Sequence, residues 1–70
     1  MDKSLILNKI KTAFNIKTNA EFARRLGISP QNLSNWYSRN TFDENLILRK
    51  FTNVNEDWLL TGEGEMLKPS

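Results

Sequence analysis

An all-α fold, a compact set of five short helices, is what this sequence predicts, and three observations predict it. Apolar residues recur at helical spacing and nowhere alternate as in a strand. Thr18, Ser29, Asp43 and Asn55, all good N-cap residues, each stand just ahead of such a segment. Gly27 and Gly62 stand where a segment must stop, because glycine takes the left-handed conformation without steric cost.

Taken in order, the first helix is expected from about Lys3 to Phe14, with Ile6, Ile10, Ala13 and Phe14 on one face and Asn15 ending it. The second opens on a capping box. The Thr18 hydroxyl accepts from the amide three residues on and the Glu21 carboxylate reaches back to the cap. Phe22, Ala23 and Leu26 then face inward and Gly27 closes the helix. The third starts almost at once, with Ser29 as cap and Pro30 at the first helical position, where its missing N–H costs nothing. Leu33 and Trp36 point inward, and the helix runs to about Arg39, with Asn40 and Thr41 as its exit. Asp43 caps the fourth, with Phe42 placed to staple against Ile47. Leu46, Ile47, Leu48 and Phe51 form its buried stripe, and Asn53 ends it. Asn55 caps the fifth, Glu56 to Thr61, with Val54 placed against Leu59 and Gly62 as the stop. Residues 1–62 then form one domain and residues 63–70 a tail or linker.

With 70 residues the core is small, and no covalent or metal staple is present: the chain has no Cys and no His. Stability has to come from capped helices and packed aromatics, Phe14, Phe22, Trp36, Phe51 and Trp58, to which a second subunit could add. The same absence removes the usual nucleophiles and metal ligands of enzymes and leaves no cofactor site. The acidic pairs Asp43-Glu44 and Glu56-Asp57 sit where helix N-termini attract negative charge. Gly62-Glu63-Gly64 lacks the rest of a phosphate-binding loop, so neither a nucleotide nor another small-molecule substrate is expected. The longest apolar runs are triplets such as Leu5-Ile6-Leu7, too short for a membrane span or a secretory signal, which makes the cytoplasm the expected compartment.

Charge is uneven along the chain. Residues 1–40 carry seven basic side chains against two acidic ones, a net +5, whereas residues 41–70 carry three against six, a net −3. A basic half suits a polyanion.

Two helices joined by a few residues with glycine at the turn make a helix-turn-helix, here about Thr18 to Asn40, whose second helix enters the major groove of DNA. Each position meets that demand. Ala23 is small where the helices cross, Gly27 makes the turn, and Phe22, Leu26, Ile28, Leu33 and Trp36 are apolar where the pair meets the core. At 100° per residue from Pro30, the inward positions Leu33, Trp36 and Tyr37 centre at about 290°. Gln31, Asn35 and Ser38 point the opposite way, with Ser34 and Arg39 at the flanks. Side-chain amides donate and accept together, which suits the N6/N7 edge of adenine. Gln31, Asn35, Ser34 and Ser38 are therefore the expected base contacts. Lys17, Thr18, Asn19, Arg39 and Asn40 are the expected phosphate contacts, Thr18 and Asn19 through the free amides of a helix start. Arg24 and Arg25 add field, Trp36 and Trp58 pack in the core, and Tyr37 either closes the core edge or bonds a phosphate.

Three stretches carry a family resemblance: Asn19-Ala-Glu-Phe-Ala-Arg-Arg-Leu-Gly27, Ile28-Ser-Pro-Gln-Asn-Leu-Ser-Asn-Trp36, and the ending Val54-Asn-Glu-Asp-Trp-Leu-Leu-Thr-Gly-Glu-Gly64. They resemble the helix-turn-helix domain of phage CI-type repressors, within the lambda-repressor-like group. The resemblance covers nearly the whole chain, and the ending is its most specific part. It implies a repressor of phage or mobile-element transcription and base contacts at the positions matching Gln31 and Asn35. Pro30 departs from repressors that place a polar side chain there, which removes one contact. These residues hold no C-terminal oligomerisation and self-cleavage domain, so the expectation is a DNA-binding fragment or a stand-alone short regulator. The expected partner is double-stranded DNA with a palindromic operator, bound by a weak homodimer that associates through Trp58, Leu59, Leu60, Met66 and Leu67. The competing reading is a protein-interaction module of antitoxin or anti-repressor type on the same fold; the polar face Gln31-Asn35-Ser38 favours DNA, because a protein-binding face carries exposed apolar anchors.

Overall fold

The computed structural model describes residues 2–68 and is all-helical. Its elements are α1 (Lys3–Ala13), α2 (Asn19–Leu26), α3 (Pro30–Arg39), α4 (Glu44–Lys50) and α5 (Glu56–Thr61).

Four caps stand where the sequence places them, and Asp2 adds a fifth beyond those expected from the sequence. Asp2 accepts from the amides of Ser4 and Leu5, Thr18 from Glu21, Ser29 from Asn32, Asp43 from Leu46 and Asn55 from Asp57. One detail differs in the capping box. The Glu21 carboxylate accepts from the Lys17 amide at 3.1 Å, one residue before the cap, rather than from Thr18 itself. The backbone entering α2 is thereby held one residue further out.

Three helices end in the same way, with a left-handed residue and a pair of bonds that satisfy carbonyls of the last turn. Asn15 (φ 58°), Gly27 (φ 77°) and Asn40 (φ 54°) occupy the left-handed position. The next amide reaches back across the turn in each case, Ile16 to Lys11 at 2.8 Å, Ile28 to Ala23 at 3.0 Å and Thr41 to Trp36 at 2.9 Å. The fifth also ends on a left-handed residue, Gly62 (φ 78°), whose amide donates to the Trp58 carbonyl, so the fourth helix is the exception. It stops at Lys50, earlier than the Asn53 expected to end it, because Phe51 leaves helical geometry at φ −121°, ψ 75°. Its ring packs 4.8 Å from that of Phe14 and 6.1 Å from that of Phe22, so the aromatic cluster takes the residue that would have continued the helix.

The core is apolar throughout, with no buried polar or charged side chain among the described residues. Phe22, Leu7, Ile10, Leu26, Leu33, Ile47, Leu59 and Val54 are its largest fully enclosed members. On α1 the buried face is Ile6, Leu7 and Ile10, with Phe14 packed at its edge; Ala13, expected inward, is exposed. The stripe is rotated toward Leu7, which meets the rest of the core where a methyl group does not reach.

Past Gly62 the chain turns back. The Met66 carbonyl accepts from the Asn55 amide at 2.8 Å and the Lys68 amide donates to the Asn53 carbonyl at 2.7 Å. An isolated antiparallel bridge joins Val54 to Leu67. Pro69 and Ser70, the end of the segment expected as a tail, lie outside the described residues. The C-terminal apolar residues divide sharply. Trp58 and Leu59 are 3% and 0% exposed and belong to the monomer's own core, which corrects their expected place on an association surface; Leu60 and Leu67 remain 47% and 40% exposed.

Candidate nucleic-acid interface

The pair α2 and α3 is built from its turn outward. Gly27 lets the chain reverse in a left-handed step, and its amide donates to the Ala23 and Arg24 carbonyls. Ser29 and Pro30 restart the helix two residues later. Ala23 is fully enclosed beneath the turn, and Ile28 is packed against the core. A larger side chain at 23 would push the helices apart.

Leu33 is the one fully buried residue of α3, with Trp36 and Tyr37 partly buried beside it. The face opposite Leu33 is open. Gln31, Ser34, Asn35, Ser38 and Arg39 are all exposed. The Gln31 amide donates to the Asn35 carbonyl oxygen at 3.4 Å, the long end of a hydrogen bond, so the two amides sit side by side one turn apart. Each keeps further donors and acceptors for a partner.

At the other end of the motif, Lys17, Thr18 and Asn19 are exposed at the start of α2. The Thr18 hydroxyl is engaged as the cap. The Asn19 side-chain oxygen accepts from the Lys11 ammonium at 2.6 Å. Sequence reasoning passed over Lys11, which stands eight positions from Asn19. Its signal was a basic residue in the last turn of α1, carried by the chain reversal at Asn15 to the start of α2.

Asn40 is also exposed, but its side-chain oxygen accepts from the Lys3 amide at 2.8 Å. Its NH2 group stays free of that bond for another partner. Tyr37 is engaged as well. Its hydroxyl donates to the Asn8 side-chain oxygen at 3.0 Å, and partial burial raises its pKa above the ordinary tyrosine value. The exposed amides of α3 and the exposed start of α2 thus form two separate polar regions at opposite ends of the motif.

Among the described residues no helix is long and apolar enough to cross a membrane. Neither the curated proteins nor the solved structures compared with this chain include a match. The family comparison is positive: the family described as the bacteriophage CI repressor helix-turn-helix domain matches residues 6–67, from the first turn of α1 to the segment that returns along Val54. With its cap-turn-cap geometry and its closing segment both inside that span, the chain belongs to the bacteriophage CI repressor helix-turn-helix domain family.

Proposed function

We propose that this protein binds a specific sequence in double-stranded DNA through α3 and represses transcription in the cytoplasm, as a regulator of phage or mobile-element type. The observation that carries the reading is the open amide face of Gln31 and Asn35 on the second helix of the motif. Two amides offering a donor and an acceptor each match the N6/N7 edge of adenine in the major groove. Ser34 and Ser38 flank them and complete the base-reading face.

Lys17, Thr18, Asn19 and Arg39 hold phosphates on either side, with Asn40 contributing through its NH2 group. At the start of α2 the helix dipole and free amides favour an anionic oxygen. One such domain reads only a few base pairs, so specific affinity comes from two copies on a palindromic operator with half-sites about one helical turn apart. Leu60 and Leu67 supply exposed apolar surface for a weak homodimer near the C-terminus. The chemistry is binding alone, with no cofactor and no substrate turned over.

Selection of bound sequences from a random DNA pool tests this. The wild type is expected to return one palindromic motif. Gln31→Ala and Asn35→Ala are each expected to flatten one or two adjacent positions of each half-site, with a loss of about 1–3 kcal/mol of discrimination per contact. A motif unchanged in both variants would show that α3 is not the reader.

A further inference from the structure

The proposed reading helix packs on the core through Leu33, with Trp36 and Tyr37 partly buried beside it. Leu33 is its only fully buried side chain. On one side the turn at Gly27 ties it to α2. On the other side two polar bonds tie it to α1: Tyr37 hydroxyl to Asn8 side-chain oxygen at 3.0 Å, and Lys3 amide to Asn40 side-chain oxygen at 2.8 Å. Position 3 pairs with 40 and position 8 with 37, so the two helices pass each other antiparallel. The tethers stand about 7.5 Å apart along α1 at 1.5 Å per residue. Two anchor points that far apart restrict both the tilt of α3 and its rotation about its own axis. Asn40 closes the link at both ends, since its backbone is the left-handed terminus of α3 and its side chain satisfies the first free amide of α1.

We infer that Asn8 and Tyr37 are positioning residues for sequence recognition: α1 acts as a strut whose hydrogen bond to Tyr37 sets the angle at which α3 presents Gln31 and Asn35. This rests on the base-reading role given to α3 above. The magnitudes favour a positioning role over a merely structural one. Asn8 is exposed and Tyr37 only partly buried, so the bond adds little net stability, about 1 kcal/mol or less. Its leverage is geometric. A side-chain tip about 6 Å from the helix axis moves by about 1 Å for a 10° rotation. That displacement is enough to spoil a paired hydrogen bond to a base edge, which tolerates about 0.5 Å.

The test compares the wild type with Tyr37→Phe, Asn8→Ala and the double variant in two measurements. Residual dipolar couplings of the free protein report the orientation of α3 relative to α1 and α2. Affinities for the selected operator and its single-base variants, at fixed salt, report discrimination. Each single variant is expected to turn α3 by about 10° and lower discrimination about three- to tenfold. The double variant should lose no more than either single one, because both remove the same bond. Asn8→Asp keeps an acceptor at the same reach and should restore discrimination. The melting temperature should fall by no more than about 4–8 °C, the shift that a loss of about 1 kcal/mol carries, and the salt dependence of binding should hardly change. Unaltered couplings in Tyr37→Phe and Asn8→Ala, or losses that add in the double variant, would overturn the strut. A wild type that selects no sequence would instead sink the base-reading role of α3, and the strut would then stand or fall on the couplings.

Discussion

At the scale of single residues, exposure and bonding separate the side chains that read from those that hold. Gln31 and Asn35 engage each other and leave hydrogen-bonding capacity outward, whereas Asn40 uses its oxygen on Lys3 and Tyr37 uses its hydroxyl on Asn8. Lys17 and Arg39 are exposed and, in the proposed complex, meet phosphate rather than bases. Replacing either with Ala should leave the selected sequence intact and lower the slope of log affinity against log salt by about one unit. Titration of operator binding between low and moderate salt measures this; a changed motif would place the residue among the base readers. Tyr37 yields a separate prediction on stability. Burial raises its pKa in the folded state above the ordinary value of 10.0, so the folded protein keeps a proton that the unfolded chain gives up. The sign follows from linkage: its contribution is fully present below pH 10 and is lost as pH rises from there through the folded-state pKa. Tyr37→Phe should therefore lose less stability than the wild type over that alkaline window. Denaturant melts at pH 9 and pH 11 would reveal it, and parallel losses in both proteins would contradict it.

At the scale of elements, starts were more legible than ends and faces. A cap is a local device, since one side chain reaches an amide two or three residues away, and Thr18, Ser29, Asp43 and Asn55 could be read directly as caps. The end of α4 was not local. It is decided by where the Phe51 ring packs, against Phe14 from a helix far away in sequence, and no spacing within residues 44–53 carries that information. The buried face of α1 is set by the fold for a similar reason. Ala13 and Leu7 are both compatible with an apolar stripe, and only the position of the neighbouring helices selects the larger side chain. Gly27 is the element-scale feature with the clearest energetic test. A Cβ there would lie 3.7 Å from the flexible end of Lys50, an ordinary contact, so Gly27→Ala suffers no clash. The cost is the left-handed backbone at φ 77°, about 1–2 kcal/mol for a residue with a Cβ. The melting temperature should fall by about 4–8 °C per kcal/mol for a domain of this size. Gly27→Asn, which tolerates that conformation better, should recover part of the loss. Equal melting of the Ala variant and the wild type would show that the turn relaxes to another conformation.

For the molecule as a whole, the pairing of the C-terminal return segment is what sequence alone could least supply. The bonds pairing residues 53 and 55 with 68 and 66 are made by backbone groups, so no side-chain pattern announces them. The charged and glycine-containing run after Gly62 reads as a linker for that reason. Its pairing has two consequences that can be separated. It ties the segment just before α5 to the end of the described chain, and it holds Leu67 at the surface, where Leu60 of α5 is also exposed. Lys68→Pro removes the amide that donates to Asn53 without altering any core side chain. Leu67, as the residue before proline, is already in the extended pairing that such a position prefers. This variant should lose about 1 kcal/mol of stability. If Leu67 in its paired position forms part of the weak dimer surface, Lys68→Pro should also weaken self-association and binding to the palindromic operator. Leu60→Ser should weaken association and operator binding while leaving the melting temperature nearly unchanged, because Leu60 lies outside the core. Sedimentation velocity at high protein concentration, alongside thermal melts, distinguishes these effects. A Lys68→Pro variant that melts like the wild type would show that the return segment adds nothing to the body. A Leu60→Ser variant that still binds the palindrome as two copies with unchanged affinity would move the dimer surface away from the C-terminal leucines.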